Sequence, residues 1–289
     1  MNILLDAITQ GIAIGALYAV ITLGLSIIHS MSGVLNFAHG HLVVVAMYLA
    51  FVAQNSWGVE PYVSAIIILP LMAALGALLY LAVFRRLSGA HVLTAIQATL
   101  ALVFLIEGIL LMTEGGTFKH VQSAMDGKTV ALGSLRMDGS DAVALLVALA
   151  ASAALFWTLA HTGYGRSVRA VQQNPRGAQI VGIHIHRVRV ITFALGTALA
   201  GLAGVLLVPG TAIYPSAGLA YTVTAILAFY LGGPGNLLGG FAGAILIGLA
   251  QSVGAIYLPG SYGFILPYAL VAIVIVTRPQ GLFTKAVIA

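Results

Sequence analysis

Long apolar runs, separated by short polar stretches, follow one another along the whole chain. A helix needs ~20 mostly apolar residues to cross a bilayer core of ~30 Å, whereas a membrane barrel shows segments of about ten residues with alternating polarity. The pattern predicts an all-α integral membrane protein, a polytopic bundle of about 8–9 transmembrane helices of which the shorter ones are broken or re-entrant. The predicted spans are 3–28, 36–54, 61–84, 91–112, 141–161, 188–208, 218–231, 237–257 and 262–277.

The composition excludes a soluble protein. Hydrophobic residues make up 61% of the 289 positions and charged residues 7%, against about a quarter charged in soluble domains. Because cysteine is absent, disulfides, thiolate metal sites and cysteine catalysis are excluded. The basic residues lie between the spans, so they indicate membrane topology, with lipid as a partner, and not nucleic-acid binding.

Lysine and arginine mark the cytoplasmic loops of membrane proteins. Basic residues occur at 85–86, across 162–190 without any acid, and within 278–285. The segment 113–140 instead balances its basic residues with acids. We therefore predict that 113–140 is an extracytoplasmic loop and 162–187 a cytoplasmic loop, with the amino terminus outside and the carboxyl terminus inside.

The predicted outer loop contains two turn signals. These are Asp126-Gly127 and Asp138-Gly139, each a residue that tolerates turn geometry followed by a glycine. The residues between them predict a small β-hairpin.

The cytoplasmic loop has the signals of two short helices joined at Asn174. Asn174 is a good N-cap, Pro175 suits the first helical position, and Gly182 can end the second helix. The valines and isoleucines of the loop offer an apolar face, and its arginines a basic one. The loop is therefore predicted to dock a cytoplasmic partner; the alternative is a basic segment held near anionic lipid.

At these residues the chain resembles the LivH-type permeases, one of two membrane subunits of the branched-chain amino acid ABC importers. The loop and the following span carry the likeness in "GRSVRAVQQNPRGAQIVGIHIHRVRVITFALGTALAGLAGVLL". The opening "GALYAVITLGLSIIHSMSGVLNFAHGH", the later "LGGPGNLLGGFAGAILIGLAQ" and the ending "RPQGLF" resemble the family as well. The likeness covers nearly the whole chain and is weakest in 113–140.

The resemblance implies a single transmembrane permease domain over 1–289 with the ABC importer permease fold, in the bacterial inner membrane. It also implies three kinds of protein partner: a second LivM-type permease subunit forming a heterodimer, two cytoplasmic ATPase subunits, and a periplasmic substrate-binding protein. The chain contains no Gly-x-x-x-x-Gly-Lys-Ser/Thr phosphate loop. ATP and Mg are therefore expected on the ATPases, and this chain is expected to bind no cofactor or metal and to have no catalytic residue.

By the same resemblance, the cytoplasmic loop is the coupling element that transmits ATPase closure to the spans. The residues assigned to it are Arg166, Arg169, Ala170, Asn174, Pro175, Gly182 and Ile183.

Three polar residues interrupt the start of the second span, Asn36, His39 and His41, and the first two are candidates for the pathway. A buried polar group in hydrocarbon costs several kcal/mol unless it finds a partner or a water-filled cavity. Two interpretations stay open. Asn36 and His39 line the inner mouth of a translocation pathway, or they brace two spans through hydrogen bonds worth about 1 kcal/mol each.

A weak internal similarity adds three more candidates to the pathway. "GALYAV" resembles "GLAYTV", which pairs Tyr18 with Tyr221, and "NFAHG" resembles "NLLGG", which pairs Asn36 with Asn236. Transporters are often built from structural repeats with the substrate at their interface. The alternative is a chance match between glycine-rich apolar segments, with the tyrosines serving only in packing.

Glu107 is an acid well inside an apolar run. Intramembrane acids are functional hypotheses by default, so Glu107 joins the candidate pathway as a partner for a substrate ammonium. A purely structural pairing is the alternative. The function predicted overall is half of an amino-acid pathway. An importer of another small solute, such as urea, an amide, another amino acid or a small carboxylate, or an ion-coupled secondary transporter, remains open.

Overall fold

The computed structural model describes residues 3–87, 89–132, 135–258, 263 and 265–283. Nine helices in these ranges follow the predicted spans: α1 (Ile3–Ser32), α2 (His39–Trp57), α3 (Pro61–Leu79, continued by a π-helical segment Tyr80–Phe84 and by Arg85–Leu87), α4 (Val92–Glu114), α5 (Gly139–His161), α8 (Ile185–Leu207), α9 (Gly218–Gly232), α10 (Leu237–Tyr257) and α11 (Ile265–Thr277). Two shorter helices, α6 (Gly163–Gln173) and α7 (Pro175–Ile180), lie between α5 and α8.

The all-α membrane architecture predicted from the sequence is confirmed. In the described ranges, seven of these nine helices are long and apolar enough to cross a membrane. The two that do not meet this criterion are α2 and α11. Helix α2 is 19 residues long but carries His39, His41, Gln54 and Asn55, and α11 has 13 residues.

Side-chain caps set where several of these helices begin. The Glu60 carboxylate accepts the backbone N–H of Tyr62 at 2.8 Å, and Pro61 occupies the first position of α3. Asp138 caps α5 by accepting the N–H and the hydroxyl of Ser140. These two hydrogen bonds lower the pKa of Asp138.

Glycines join α1 to α10 in antiparallel packing along the centre of the bundle. A Cβ placed on Gly248 would lie 2.4 Å from the Cα of Gly15, so the two backbones meet there. Nearer the outer end, the Ser252 hydroxyl donates to the Ala7 carbonyl at 2.7 Å. Small residues permit this close approach, on which helix association in lipid depends.

Helix α2 begins deep inside the bundle. Its first residue, His39, is fully buried and its Nε2 lies 3.1 Å from the carbonyl of Ile21, in the middle of α1. From Ile21, α1 continues to Ser32, which at 1.5 Å per residue is roughly 16 Å farther. The chain therefore returns through 33–38 before α2 starts, which is the broken span predicted around Asn36.

A second segment, 208–217, dips into the bundle from the opposite end. It pairs with the outer loop through two backbone hydrogen bonds between Ile213 and Lys119, at 2.9 and 3.0 Å. It then leads to Gly218, the first residue of α9, which packs against the ring of His41. Helices α2 and α9 therefore both start at the same depth within the membrane region.

The β-hairpin predicted within 113–140 forms, but neither Asp-Gly pair lies between its two strands. Strands β1 (Thr129–Leu132) and β2 (Leu135–Asp138) pair antiparallel. Asp126-Gly127 precedes β1, and Asp138-Gly139 starts α5. Residues 133–134, between the two strands, lie outside the described residues, as does residue 262, where the ninth span was predicted to begin.

Candidate functional site

The start of α2 satisfies only some of its polar groups, and His39 Nδ1 is buried without a hydrogen-bond partner among the described residues. Asn36 is 2% exposed, and its Oδ1 accepts the backbone N–H of Ala38 at 3.1 Å. This turn shifts the start of α2 from residue 36, the predicted boundary, to His39. Asn36 and His39 are both enclosed by protein, an arrangement that favours bracing over lining a pathway; their role stays a prediction.

Thr222 is the hub that joins α2 to α9. Its hydroxyl accepts the N–H of Gly40 at 2.8 Å and lies 2.9 Å from the carbonyl of Phe37 and 3.1 Å from that of Gly218. A Cβ on Gly40 would lie 2.0 Å from the Gly218 carbonyl oxygen. The backbones of the two helix starts are therefore in direct contact. The Thr222 hydroxyl binds the Gly40 N–H, which has no acceptor within its own helix.

At the third residue of α2, His41 meets Glu107 of α4. His41 Nε2 lies 3.7 Å from Glu107 Oε2; the His41 side chain is buried and the Glu107 side chain is 27% exposed. Neither ring nitrogen of His41 has a hydrogen-bond partner among the described residues. The acid that the sequence marked as a candidate thus lies on the packed side of α4, beside an imidazole.

A second carboxylate follows on the same side of α4. Glu114 pairs with Lys119 of the outer loop, and both side chains are largely enclosed. Glu107 and Glu114 are seven residues apart, two helical turns, which places them on one face and roughly 10.5 Å apart along the axis. On α2 the corresponding positions, His41 and Tyr48, are also seven residues apart.

This face of α4 is the one that packs on the rest of the chain. Its buried residues Val103 and Leu110 alternate with Glu107 and Glu114 at helical spacing. The opposite face presents large exposed apolar side chains such as Met112, 90% exposed. We call the contact between this acidic face of α4 and the His41–Tyr48 face of α2 the acidic seam.

The remaining pathway candidates do not line the acidic seam. The Tyr18 hydroxyl donates to Gln251 Oε1 at 2.9 Å, between α1 and α10. Asn236 caps α10 by accepting the Gly239 N–H at 3.0 Å, and its Nδ2 donates to the Phe283 carbonyl at 3.0 Å. Tyr221, half-buried on α9, packs against the main apolar core. Geometry therefore brings together Asn36, His39 and, through His41, Glu107, and places the others elsewhere.

The loop over 162–187, whose cytoplasmic location stays a prediction, forms two short helices joined at Asn174, as predicted. Asn174 Oδ1 accepts the N–H of Gly177 at 3.0 Å, and Pro175 is the first residue of α7. Gly182 ends the second helix with φ +84°, a left-handed conformation that glycine adopts without strain. The N–H of Ile183 then bonds to the Ala178 carbonyl at 2.9 Å.

The apolar residues of the loop divide into two groups that face opposite ways, which corrects the single face expected from the sequence. Val168 and Val171 are each 3% exposed and hold α6 on the bundle. Ile180 and Val181 are 87% and 73% exposed. The first pair is therefore an anchor, and the second is the part of the loop available to a partner.

Further contacts fix the anchored half of the loop. Arg169 donates to the Leu159 carbonyl at the end of α5, and the hydroxyls of Tyr164 and Thr192 lie 2.7 Å apart. Burial raises the pKa of Tyr164, against the effect of the Thr192 hydrogen bond. Arg166 is exposed and Ala170 is half-buried, so these two retain free surface near the anchor.

Among the described residues, no group of three or more His, Cys, Asp or Glu side chains lies close enough to hold a metal ion.

Sequence reasoning missed His41, Glu114, Lys119 and Thr222 as parts of the site. The spacing of Glu107 and Glu114 by seven residues was a usable signal, obscured because Glu114 stands beside the mixed charges of the outer loop. No sequence signal distinguishes Thr222 from the other intramembrane threonines, since its importance lies in contacts to a distant helix.

Comparisons with known proteins give one consistent result. The family model described as the permease component of a branched-chain amino acid transport system matches residues 7–275. The high-affinity branched-chain amino acid transport system permease protein LivH of Escherichia coli (strain K12) is 27% identical over 297 residues, which cover 97% of this chain and 96% of the relative.

Two further similarities differ in extent. The autoinducer 2 import system permease protein LsrC of Escherichia coli O9:H4 (strain HS) is 33% identical over 153 residues, 53% of this chain and 43% of that protein. A chain of PsaBC from Streptococcus pneumoniae, solved in complex with Fab, superposes with a TM-score of 0.51 over 97% of this chain and 93% of its own length, at 14% identity. At that identity the likeness concerns the fold alone.

Proposed function

The chain belongs to the family of permease components of branched-chain amino acid transport systems, and from this premise we propose that it forms half of an importer pathway for branched-chain or related amino acids. Membership makes the chain a multi-pass membrane subunit of an ABC transport system and not an enzyme. Such a system implies ATPase and substrate-binding partners. The cargo and the detailed assembly are the proposal.

The acidic seam is the observation that carries the amino-acid cargo. Glu107 and Glu114 lie on the packed face of α4, and both remain partly open at 27% and 22% side-chain exposure. A carboxylate in a membrane is costly unless it has a task or a partner. Two of them, two turns apart and opposite His41 and Tyr48, offer successive partners for the ammonium group of an amino acid.

The cytoplasmic loop supplies the coupling in this proposal. Its anchor at Val168 and Val171 ties it to α5 and α8, so a push on its exposed end is transmitted to the bundle. Ile180 and Val181, together with a cavity of about 350 Å³ lined by Gln179 and 182–186, present the surface onto which an ATPase subunit docks.

The partners follow from the same premise. We propose a heterodimer with a second, LivM-type permease, two cytoplasmic ATPase subunits that bind ATP and Mg, and a periplasmic substrate-binding protein, all at the bacterial inner membrane. In this arrangement each permease contributes half of the pathway, and the seam lies on the half that this chain contributes.

A different cargo is the second candidate. The similarity to the autoinducer 2 permease over half of the chain favours an importer of another small solute on the same scaffold. A cargo without an ammonium group would leave Glu107 and Glu114 without a task in transport.

Capture of the tagged chain from mild detergent, followed by reconstitution of the captured complex in proteoliposomes, tests the proposal. We expect a second permease, two ATPases and ATP-dependent uptake of radiolabelled leucine, isoleucine or valine, in preference to urea. Recovery of the chain alone in several detergents, or uptake that does not need ATP, would contradict it.

Two matched variants test the role of the seam in the same assay. Glu107→Gln replaces one of the two carboxylates of the seam and is expected to lower leucine uptake at least tenfold, about 1.4 kcal/mol of transition-state stabilisation. Asp6→Asn removes a carboxylate on α1, outside the seam, and is expected to leave uptake unchanged. Equal effects of the two variants would argue against a pathway along the seam.

A further inference from the structure

The ammonium group of Lys119 lies in an enclosed pocket at the outer end of the acidic seam. It pairs with the Glu114 carboxylate and lies 4.6 Å from the ring centroid of Phe51 and 5.6 Å from that of Tyr48. The side chain of Lys119 is 17% exposed and that of Glu114 is 22% exposed. A lysine of an outer loop would ordinarily extend into water, so its inward position needs an explanation.

The backbone around Lys119 is fastened across the seam. Lys119 and Ile213 exchange two backbone hydrogen bonds, and the Gln54 side chain bonds to both the N–H and the carbonyl of Gln122. We call residues 117–123 the strap. It ties the outer end of α2 to the 208–217 segment and covers the seam from outside.

A carboxylate combined with two aromatic faces is the chemistry that recognises an ammonium group. The pocket also contains one polar atom that makes no hydrogen bond to a described residue. The Tyr48 hydroxyl is buried, and it has no hydrogen-bond partner among the described residues. A free amino acid carries an ammonium beside a carboxylate, so it can occupy the place of Lys119 and also offer an oxygen acceptor to this hydroxyl.

We propose that Glu114, Tyr48 and Phe51 form an outer binding site for the ammonium group of the cargo, and that Lys119 fills this site as a tethered substitute until the strap lifts. The proposal rests on the proposed function and adds a recognition site to it. Exchange of one ammonium for another keeps the Glu114 carboxylate paired throughout, and the Tyr48 hydroxyl can donate a hydrogen bond to the carboxylate that the cargo brings with it. Glu107 is then the next carboxylate along the path, two turns deeper.

Lys119→Met tests this site, because methionine keeps an apolar chain of similar length and removes the competing charge. The probes are leucine and 4-methylpentanoate, which is leucine without its amino group, and the readout is uptake by the reconstituted complex without its binding protein. We expect roughly tenfold faster leucine uptake, as the loss of a cation–π and ion-pair competitor implies, and little change for 4-methylpentanoate. Lys128→Met, in the same outer loop but exposed, is the matched control and should behave as wild type.

Glu114→Gln in the Lys119→Met background should abolish the preference for leucine. An equal gain for both probes, or no gain at all, would overturn the ammonium site. Should Lys119→Met fail to assemble, Lys119→Arg replaces it: a guanidinium holds a carboxylate with two hydrogen bonds, so slower uptake is expected and an unchanged rate contradicts the proposal. If instead the wild-type complex imports no leucine with ATP and binding protein present, the proposed function fails, which is a separate result.

Discussion

Replacing Gly40 with alanine tests the contact between the start of α2 and the start of α9. The added Cβ would lie 2.0 Å from the carbonyl oxygen of Gly218 and 2.5 Å from the backbone N of Thr222. Carbon atoms in contact normally lie about 3.5 Å or more from their neighbours. Both obstacles are backbone, so no side chain can move aside and the two helices must separate by about 1 Å or more.

The structure allows the cost to be estimated. Overpacking of this kind costs about 1–3 kcal/mol. Separation also breaks the 2.8 Å hydrogen bond from the Gly40 N–H to Thr222, which leaves a buried donor unpaired at about 1–3 kcal/mol. Alanine returns about 0.5–1 kcal/mol through its better helix propensity. The net loss of folding free energy is therefore about 1–5 kcal/mol.

Gly108→Ala on α4 is the matched control, because a Cβ there meets nothing within 4 Å. Each kcal/mol moves the thermal midpoint by about 2–4 °C in chains of a similar size. In detergent, with size-exclusion chromatography after heating as the assay, Gly40→Ala should lose roughly 5–15 °C and Gly108→Ala should lose nothing. If Gly40→Ala melts within about 2 °C of wild type, or if Gly108→Ala is the worse of the two, the reasoning about the helix crossing is wrong.

Three further predictions concern other contacts. Thr222→Val should destabilise by about 1–3 kcal/mol because the Gly40 donor loses its acceptor, whereas Thr224→Val, whose hydroxyl bonds only to its own helix, should change the thermal midpoint little. Val168→Ser should lower the free energy of unfolding by about 1–3 kcal/mol through lost burial. Ile180→Ser, at an exposed position, should leave stability intact and reduce recovery of the ATPase. If Ile180→Ser is the more destabilising and Val168→Ser the one that loses the ATPase, the assignment of anchor and docking surface is wrong. Because the folded-state pKa of Asp138 is lowered, its stabilising effect is present above the ordinary Asp value of about 3.9 and is lost as pH falls through the lowered value. Asp138→Asn should therefore melt earlier than wild type at pH 7, and the difference between their midpoints should begin to shrink below about pH 4 and vanish only below the lowered pKa of the folded state.

The sequence predicted where the helices lie because bilayer thickness imposes a length that hydropathy can detect. It placed Leu237–Tyr257 at the observed bounds. It placed the start of α8 three residues late, since His186 and Arg187 look like loop although they form the first turn of the helix. It placed the start of α2 three residues early, because hydropathy cannot show that the Asn36 side chain accepts a hydrogen bond from Ala38 in a turn before the helix.

The site was less predictable than the fold for a physical reason. Glu107 stood out because an acid in an apolar run is rare, and the cytoplasmic helices stood out because caps and breakers act over a few residues. His41, Thr222 and Lys119 gain their roles from partners on other helices, and a single sequence does not record which helix lies beside which. The family resemblance indicated the subunits of the transporter but not these contacts.

The contact between α2 and α9 joins residues far apart in the sequence, so it can form only late in synthesis. Gly40 waits for Thr222, a partner 182 residues downstream, and Tyr18 waits for Gln251, 233 residues downstream. At about 5–20 residues per second, the first contact is delayed by roughly 10–35 s after α2 enters the membrane. Throughout that interval the backbone N–H of Gly40 lacks the Thr222 hydroxyl that accepts it in the finished chain, so a nascent chain that stops before α9 leaves the start of α2 incomplete.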